Sequence, residues 1–131
     1  MTKTILVVED NKLNMTLFTD LLEADGHTVL QAGTGTKGFE LACERRPDLI
    51  VMDIQLPDVS GLEVTMKLKA DDALRAIPVL AVTAFAMKSD EKMARDAGCD
   101  SYMSKPIDVR KFLARVRKLL DEAAEAGHPR V

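Results

Sequence analysis

The sequence predicts a doubly wound α/β fold, in which helices cover both faces of a parallel sheet of five strands. Four short apolar runs predict buried strands, at residues 5–8, 49–52, 79–82 and 101–103. A fifth strand is predicted at 28–32, and longer helical patterns of apolar residues separate the five. Continuous apolar runs are typical of strands buried on both faces, and parallel strands need helical crossovers between them.

The first two predicted helices follow strands one and two. Either Asp10 or Asn11 can cap helix one, because a short polar side chain accepts hydrogen bonds from the first helical turn. Helix two is predicted over about residues 36–45. The apolar arc of helix one is wider than one sheet face requires. Its margins, at Met15 and Leu22, fit either partner docking or an ordinary core.

The remaining helices carry their own start signals. Helix three is predicted to start near Ser60, helix four at a Ser89 cap, and the last helix after Asp108. Within residues 90–97, only Met93 and two alanines are apolar enough to bury. An element with so little apolar surface is weakly anchored, so helix four is predicted to be an element that moves.

Length and composition indicate one domain over residues 1–120, followed by a short polar tail at 121–131. The chain has 131 residues, of which 47% are hydrophobic and 30% charged, and a formal net charge of -3. An acidic balance argues against binding to nucleic acid, which requires basic surface. The first apolar run, residues 5–8, is too short for the apolar region of a signal peptide or for a membrane span, so a cytoplasmic location without membrane insertion is expected.

Four of the predicted strands end in chemically active side chains. Glu9 and Asp10 follow strand one, and Asp53 follows the apolar run of strand three. Thr83 closes strand four, and Lys105 follows strand five. Open α/β sheets bind their ligands at this carboxyl edge. Three carboxylates with no His or Cys nearby would repel one another unless a cation sits among them, and Mg²⁺ suits such hard oxygen ligands.

A magnesium ion, a lysine and a hydroxyl around one carboxylate are the equipment for phosphoryl transfer, with Asp53 as the nucleophile. Taken alone, each of these residues also fits a structural role, such as a helix cap, a strand end or a turn. Their joint position at four strand ends favours the phosphoryl site.

The motifs around these residues resemble those of the response-regulator receiver domain. The matching segments are residues 8–11, 52–57 with Gly61, 82–84 and 105–106. The resemblance extends over residues 4–120 and implies a flavodoxin-like receiver fold with strand order 2-1-3-4-5. It also implies a stand-alone regulator in a two-component phosphorelay, which is a phosphoacceptor signalling protein rather than an enzyme. Segments 53–57 and 81–88 resemble those of a cell-division regulator in this family, which implies a role in cell-cycle control.

The resemblance assigns roles to individual residues. Asp53 accepts a phosphoryl group from the phosphohistidine of a histidine kinase or a phosphotransfer protein, and a phosphatase is the opposing partner. Asp10 and Asp53 bind Mg²⁺ directly, Glu9 binds it through water, and the backbone carbonyl of Gln55 adds a ligand. Lys105 pairs with the phosphoryl oxygens.

The same resemblance implies a switch. The Thr83 hydroxyl moves toward the phosphoryl group and Tyr102 turns inward, although a Tyr102 ring that merely packs is also compatible with the sequence. The Lys105–Pro106 peptide bond is expected to be cis. A downstream protein target then reads the surface of helix four, strand five and helix five. Phe85 stands where the family often has a small residue, so its ring either shields the acyl phosphate or belongs to the docking surface.

Two other functions are compatible with this type of fold. A magnesium-dependent phosphohydrolase with an aspartate nucleophile needs a second acid two residues later, where Gln55 stands. A flavin-binding electron carrier would bring a flavin phosphate against three carboxylates that repel it. The sequence therefore favours the phosphorylation-controlled switch.

Overall fold

The computed structural model describes residues 2–84 and 88–127. Strands β1 to β5 are Thr4–Val8, Thr28–Ala32, Leu49–Asp53, Val79–Thr83 and Ser101–Ser104. Helices α1 to α5 are Lys12–Ala24, Gly35–Arg45, Gly61–Ala70, Lys88–Ala97 and Val109–Gly127. The alternation of strand and helix confirms the predicted α/β class. None of the helices in these described ranges is both long and apolar enough to cross a membrane.

The strands form one parallel sheet in the order β2-β1-β3-β4-β5, which confirms the expected topology. Val8 of β1 lies opposite Met52 of β3, and Asp53 lies opposite Val82 of β4. The residues that end these strands therefore meet at one edge. The strand order reverses between β1 and β3, and such a reversal opens the crevice in which α/β sheets bind ligands.

Alternate strand residues point to opposite faces of the sheet and build two cores. On one face, α1 and α5 contribute Phe18 and Phe112, whose ring centroids are 5.2 Å apart. On the other face, α2, α3 and α4 contribute smaller side chains, among them Ala42, Leu68 and Ala94. Because both faces are covered, the strands carry continuous apolar runs instead of alternating polar and apolar residues.

Polar residues cap the first three helices. Asn11, rather than Asp10, caps α1, because its side chain accepts a hydrogen bond from the backbone N–H of Asn14 at 3.0 Å. Thr34 caps α2, and Ser60 caps α3, which begins at Gly61, in agreement with the predicted start near Ser60. The alternative left open by the sequence is thereby resolved, and Asp10 does not serve as the cap.

The exposed apolar surface of α1 differs from the prediction. Leu22 is fully buried, because it lies one helical turn after Phe18 on the face that packs against the sheet. Met15 is partly buried against the same core. Leu13 and Leu17 are exposed instead, and Leu13 exposes 82% of its surface. Of the two alternatives that the sequence left open for Leu22, the structure therefore shows the ordinary core.

Helices α4 and α5 also depart from the prediction at their ends and surfaces. Ser89 lies inside α4, which already begins at Lys88, so Ser89 is not the cap. Met93 is 55% exposed, and α4 buries only two alanines. Residues 121–127 continue α5, so this part of the predicted tail is helical. Alanine and glutamate, which dominate that segment, are strong helix formers.

Candidate functional site

Three carboxylates meet at the carboxyl edge of the sheet. Glu9 and Asp10 directly follow β1, and Asp53 is the last residue of β3. One oxygen atom from each of the three lies within 4.8 Å of the others. Glu9 and Asp53 are each 2% exposed, whereas Asp10 is open to solvent. Oxygen ligands at an open edge match the preference of Mg²⁺, which keeps several waters beside one or two carboxylates.

Lys105 is the cation that faces this cluster. Its Nζ donates a hydrogen bond to Glu9 Oε1 at 2.9 Å and another to Asp53 Oδ2 at 3.4 Å. Burial alone would lower the pKa of Lys105, but the hydrogen bonds and charges of Glu9 and Asp53 raise it above its ordinary value. Lys105 therefore supplies one positive charge against three carboxylates.

The Asp53 carboxyl has a pKa raised from its ordinary 3.8 to about 7. Burial is the largest cause, and Glu9 adds to it through a hydrogen bond and its charge. Lys105 and the backbone N–H of Gln55 lower the pKa by smaller amounts. A second negative charge beside Glu9 is thus unfavourable in the metal-free site. A divalent cation would remove that cost, so both the donor atoms and the electrostatics of the site fit Mg²⁺.

The side chain of Gln55 binds Thr83 between the ends of β3 and β4. Gln55 Nε2 donates to the Thr83 hydroxyl at 2.9 Å, and that hydroxyl donates to Gln55 Oε1 at 3.1 Å. The backbone N–H of Ala84 lies 3.5 Å from the same amide oxygen. Thr83 is fully buried. The amide of Gln55 therefore binds the hydroxyl that is predicted to move on phosphorylation, and that movement stays a prediction.

The loop between β3 and α3 is held against Asp53. The backbone N–H of Gln55 donates to Asp53 Oδ1 at 3.1 Å, and the N–H of Gly61 donates to the carbonyl of Ile54 at 2.9 Å. A Cβ atom at Gly61 would lie 2.1 Å from the Asp53 carbonyl oxygen, so only glycine fits there. The loop thus brings the backbone of Gln55 beside Asp53, while the ligand role of the Gln55 carbonyl stays a prediction.

Tyr102 lies on β5, paired in register with Ala81 of β4. Its side chain packs against the core that α2, α3 and α4 cover. Burial, followed by the charges of Asp90 and Glu91 on α4, raises the pKa of Tyr102. Tyr102 therefore borders α4, and its inward movement on phosphorylation stays a prediction.

Two further expectations concern the loops after β4 and β5. The Lys105–Pro106 peptide bond is cis, which confirms the prediction. Phe85 lies outside the described residues, so its role in shielding or docking stays a prediction.

The side chain of Gln55 is the functional group that sequence reasoning missed. Periodicity places residue 55 in a loop but does not indicate where a loop side chain reaches. The available signal was chemical, because an amide both donates and accepts and can therefore satisfy a buried hydroxyl completely. This amide occupies the place where a phosphohydrolase needs an acid, so the geometry does not favour that alternative.

Comparisons with known proteins agree with this geometry. The profile of the response regulator receiver domain matches residues 5–117. The polar-differentiation response regulator DivK of Brucella anthropi is 56% identical over 123 residues, which cover 94% of this chain and 100% of that protein. DivK of Brucella ovis is 55% identical over the same lengths.

Solved structures show the same fold. A CheY-like receiver domain from Methanospirillum hungatei is 28% identical with a TM-score of 0.90, covering 97% of this chain and 100% of that one. The receiver domain of a sensor histidine kinase from Pseudomonas aeruginosa is 29% identical with a TM-score of 0.86, over 92% and 99% of the two chains. That structure has a magnesium ion coordinated in its active site cleft. The chain therefore belongs to the response regulator receiver domain family.

Proposed function

We propose that the chain accepts a phosphoryl group on Asp53 from the phosphohistidine of a histidine kinase or phosphotransfer protein. The observation that carries this proposal is the position of the Asp53 carboxylate between two further acids and Lys105. An Asp53 oxygen attacks the phosphorus, the bond from phosphorus to the donor imidazole breaks, and the imidazole nitrogen keeps the electron pair. The product is an acyl phosphate on Asp53.

The proposed ligands of Mg²⁺ are Asp10 and Asp53 directly, Glu9 through water, and the backbone carbonyl of Gln55. When bound, the ion supplies positive charge that offsets the negative charge of the transferred group. Lys105 bonds to Glu9 at 2.9 Å and is only 3.4 Å from Asp53, so a small movement of its ammonium brings it onto a phosphoryl oxygen. Its charge then stabilises the acyl phosphate.

The proposed switch is a competition for the Thr83 hydroxyl. In the unphosphorylated protein this hydroxyl donates to Gln55, and a phosphoryl oxygen on Asp53 offers a charged and therefore stronger acceptor. Movement of Thr83 changes the space beside Tyr102 and α4. Because α4 buries only two alanines, its position costs little to change. The output surface is then α4, β5 and α5.

The proposed biological role follows from the names of the relatives. They are polar-differentiation response regulators and match this chain along nearly its whole length. We therefore propose a role in cell polarity and cell-cycle control, with a histidine kinase, a phosphatase and a downstream protein target as partners. The proposed location is the cytoplasm, where a kinase has access to ATP.

Labelling with a small phosphodonor tests the site. Incubation with acetyl phosphate and Mg²⁺ should add one phosphoryl group, which hydroxylamine removes because it cleaves acyl phosphates. Asp53→Asn should abolish the mass increase. The matched control is Asp48→Asn, at the opposite edge of the sheet, which should label like the wild type. Labelling of Asp53→Asn to the same extent would overturn the proposal.

A further inference from the structure

Asp58, in the loop between β3 and α3, binds the start of a helix more than twenty residues earlier in the chain. Its Oδ1 accepts a hydrogen bond from the backbone N–H of Gly35 at 2.9 Å. Its Oδ2 accepts from the backbone N–H of Thr36 at 3.0 Å and from the Thr36 hydroxyl at 2.6 Å. The carboxylate is exposed, yet both of its oxygens are engaged. Asp58 therefore links the loop of residues 54–60, named the phosphoacceptor loop, to α2.

This link completes the capping of α2. The helix's own cap, Thr34, accepts from the N–H of Lys37 at 3.1 Å, and its carbonyl accepts from Gly38 at 3.0 Å. The two remaining N–H groups of the first turn are those that Asp58 accepts. A carboxylate at a helix N-terminus is also favoured by the helix dipole. In agreement, the hydrogen bonds from Thr36 and then Gly35 hold the pKa of Asp58 well below its ordinary range.

Close packing accompanies the hydrogen bonds. A Cβ atom on Gly35 would lie 2.5 Å from Val59 Cγ2, so the start of α2 rests directly on the loop. One turn later, a Cβ atom on Gly38 would lie 2.7 Å from Val8 Cγ2. Val8 immediately precedes Glu9. The first turn of α2 thus packs closely against both the phosphoacceptor loop and the end of β1.

The same loop carries Gln55 near its other end. The start of the loop is held by the hydrogen bond from the Gln55 N–H to the Asp53 carboxylate. At the end of the loop, the Gly61 N–H donates to the Ile54 carbonyl. The side chain of Gln55 also bonds to Thr83, and Ile54, Leu56 and Val59 pack against the core. Asp58 adds the hydrogen bonds that tie the loop to the start of α2. Without them the intervening loop residues would keep fewer fixed contacts, and the Gln55 carbonyl would have more freedom.

We propose that Asp58 is a positioning residue for the phosphoacceptor site, because by capping α2 it holds the loop that presents the Gln55 carbonyl to Mg²⁺. This inference rests on the proposed function, since it requires Mg²⁺ to bind at Glu9, Asp10 and Asp53. Asp58 is not among the proposed Mg²⁺ ligands. It acts through the backbone of residues 54–58.

A magnesium titration followed by backbone amide NMR, without any phosphodonor, tests the inference. The Mg²⁺ dissociation constant of Asp58→Ala should rise by about tenfold, the lower end of the loss caused by removing a partner that orients a metal ligand. Thr36→Val removes only the hydroxyl bond to Asp58 and should give a smaller rise. Thermal unfolding of each variant without Mg²⁺ measures the loss of stability separately.

The matched control is Thr34→Ala. It removes the other cap of the same helix turn and should lower the unfolding temperature, but it leaves the loop bonds intact and should leave the Mg²⁺ dissociation constant unchanged. Unchanged Mg²⁺ affinity in Asp58→Ala, or an equal loss in Thr34→Ala, would overturn the positioning role. If the wild-type chain binds no Mg²⁺ at all, the proposed function fails together with this inference.

Discussion

Acidic residues have opposite electrostatic surroundings at the two edges of the sheet. At the amino edge two acids have partners of their own: Asp48 accepts the backbone N–H of Thr4 at 2.8 Å, and Asp25 is paired with Arg117. At the carboxyl edge, three carboxylates lie close together, and two of them, Glu9 and Asp53, share the single ammonium of Lys105. The two acids of the amino edge have their partners within the fold, whereas the acids of the carboxyl edge carry more negative charge than Lys105 balances.

The pKa values express this contrast. The hydrogen bond from Arg117 lowers the pKa of Asp25 below its ordinary value. Burial, together with Glu9, raises the pKa of Asp53 to about 7. A carboxylate with a lowered pKa stabilises the fold when ionised, whereas one with a raised pKa destabilises it. Ionisation of Asp53 therefore lowers the stability of the metal-free fold at the carboxyl edge, where Mg²⁺ and a phosphoryl group are proposed to bind.

The largest effect should come from removing an acid at the carboxyl edge. Asp10→Ala should slow labelling by acetyl phosphate by about 100-fold or more, because losing a metal ligand removes several kcal/mol of charge stabilisation. Phosphoprotein mass spectrometry at fixed Mg²⁺ measures the rate. Asp48→Ala, the amino-edge control, should label at the wild-type rate. A normal rate in Asp10→Ala would remove Asp10 from the site.

The second prediction concerns Lys105, the cation at the crowded edge. Lys105→Ala should be labelled about tenfold more slowly, a barrier increase of roughly 1.4 kcal/mol, because the transferred charge loses a partner. Once labelled, it should fail to switch, since the loop before α5 no longer senses the phosphoryl group. Amide NMR spectra before and after labelling report the switch. A full wild-type pattern of shifts in α4 and β5 would refute this role.

The two edges should also give opposite pH dependences. Because the native-state pKa of Asp53 is about 7 and its ordinary value is 3.8, the metal-free native state holds one more proton than the unfolded state between these values. Unfolding free energy should therefore fall as pH rises through this window, by up to about 1.4 kcal/mol per pH unit. Asp53→Asn should remove this slope and be more stable than the wild type at pH 8.

Asp25 supplies the comparison for that measurement. Its lowered pKa means that its contribution is fully present above about pH 4 and is lost only as pH falls further. Asp25→Asn should therefore destabilise the protein throughout pH 5 to 8, without removing the fall in stability that Asp53 produces as pH rises. Urea unfolding across this range measures both variants. The same slope in wild type and Asp53→Asn would contradict the assignment to Asp53.

The smallest effect is expected at Gln55. Gln55→Ala removes the acceptor that competes for the Thr83 hydroxyl, so the affinity for beryllofluoride, a phosphoryl mimic, should rise by about threefold to tenfold, consistent with one or two net hydrogen bonds. Calorimetry with Mg²⁺ present measures the affinity. Gln31→Ala is the control, since its amide donates to Thr19 at 2.9 Å in a similar Gln to Thr contact. A lower affinity in Gln55→Ala would contradict the competition.

The sequence predicted those features that depend on periodicity and on strand ends. The strands Leu49–Asp53 and Val79–Thr83 and the start of α3 near Ser60 were identified from local patterns, because burial on both faces and capping leave direct marks in sequence. The convergence of Glu9, Asp53 and Lys105 followed from their place after parallel strands. Parallel topology brings all such ends to one edge without further information.

The features that the sequence did not predict depend on where side chains point and on contacts between residues far apart in the chain. The bond of Gln55 to Thr83 spans 28 residues, and that of Asp58 to Gly35 spans 23. Neither leaves a periodic signal, since Gln55 and Asp58 both lie in the loop between β3 and α3. The burial of Leu22 likewise depends on how α1 is rotated against the sheet. Hydrophobic spacing defines an arc but not which margin of that arc faces solvent.

The most direct test of the contrast between the edges is the side-chain carboxyl pKa of Asp53, measured by carbon-detected NMR with and without Mg²⁺. Without the ion, the pKa should lie near 7, well above that of Asp25 in the same spectra. Saturating Mg²⁺ should lower it by several units, because the cation favours the ionised carboxylate. An Asp53 pKa near 3.8 in both conditions would contradict the claim that the carboxyl edge holds acids in need of a metal.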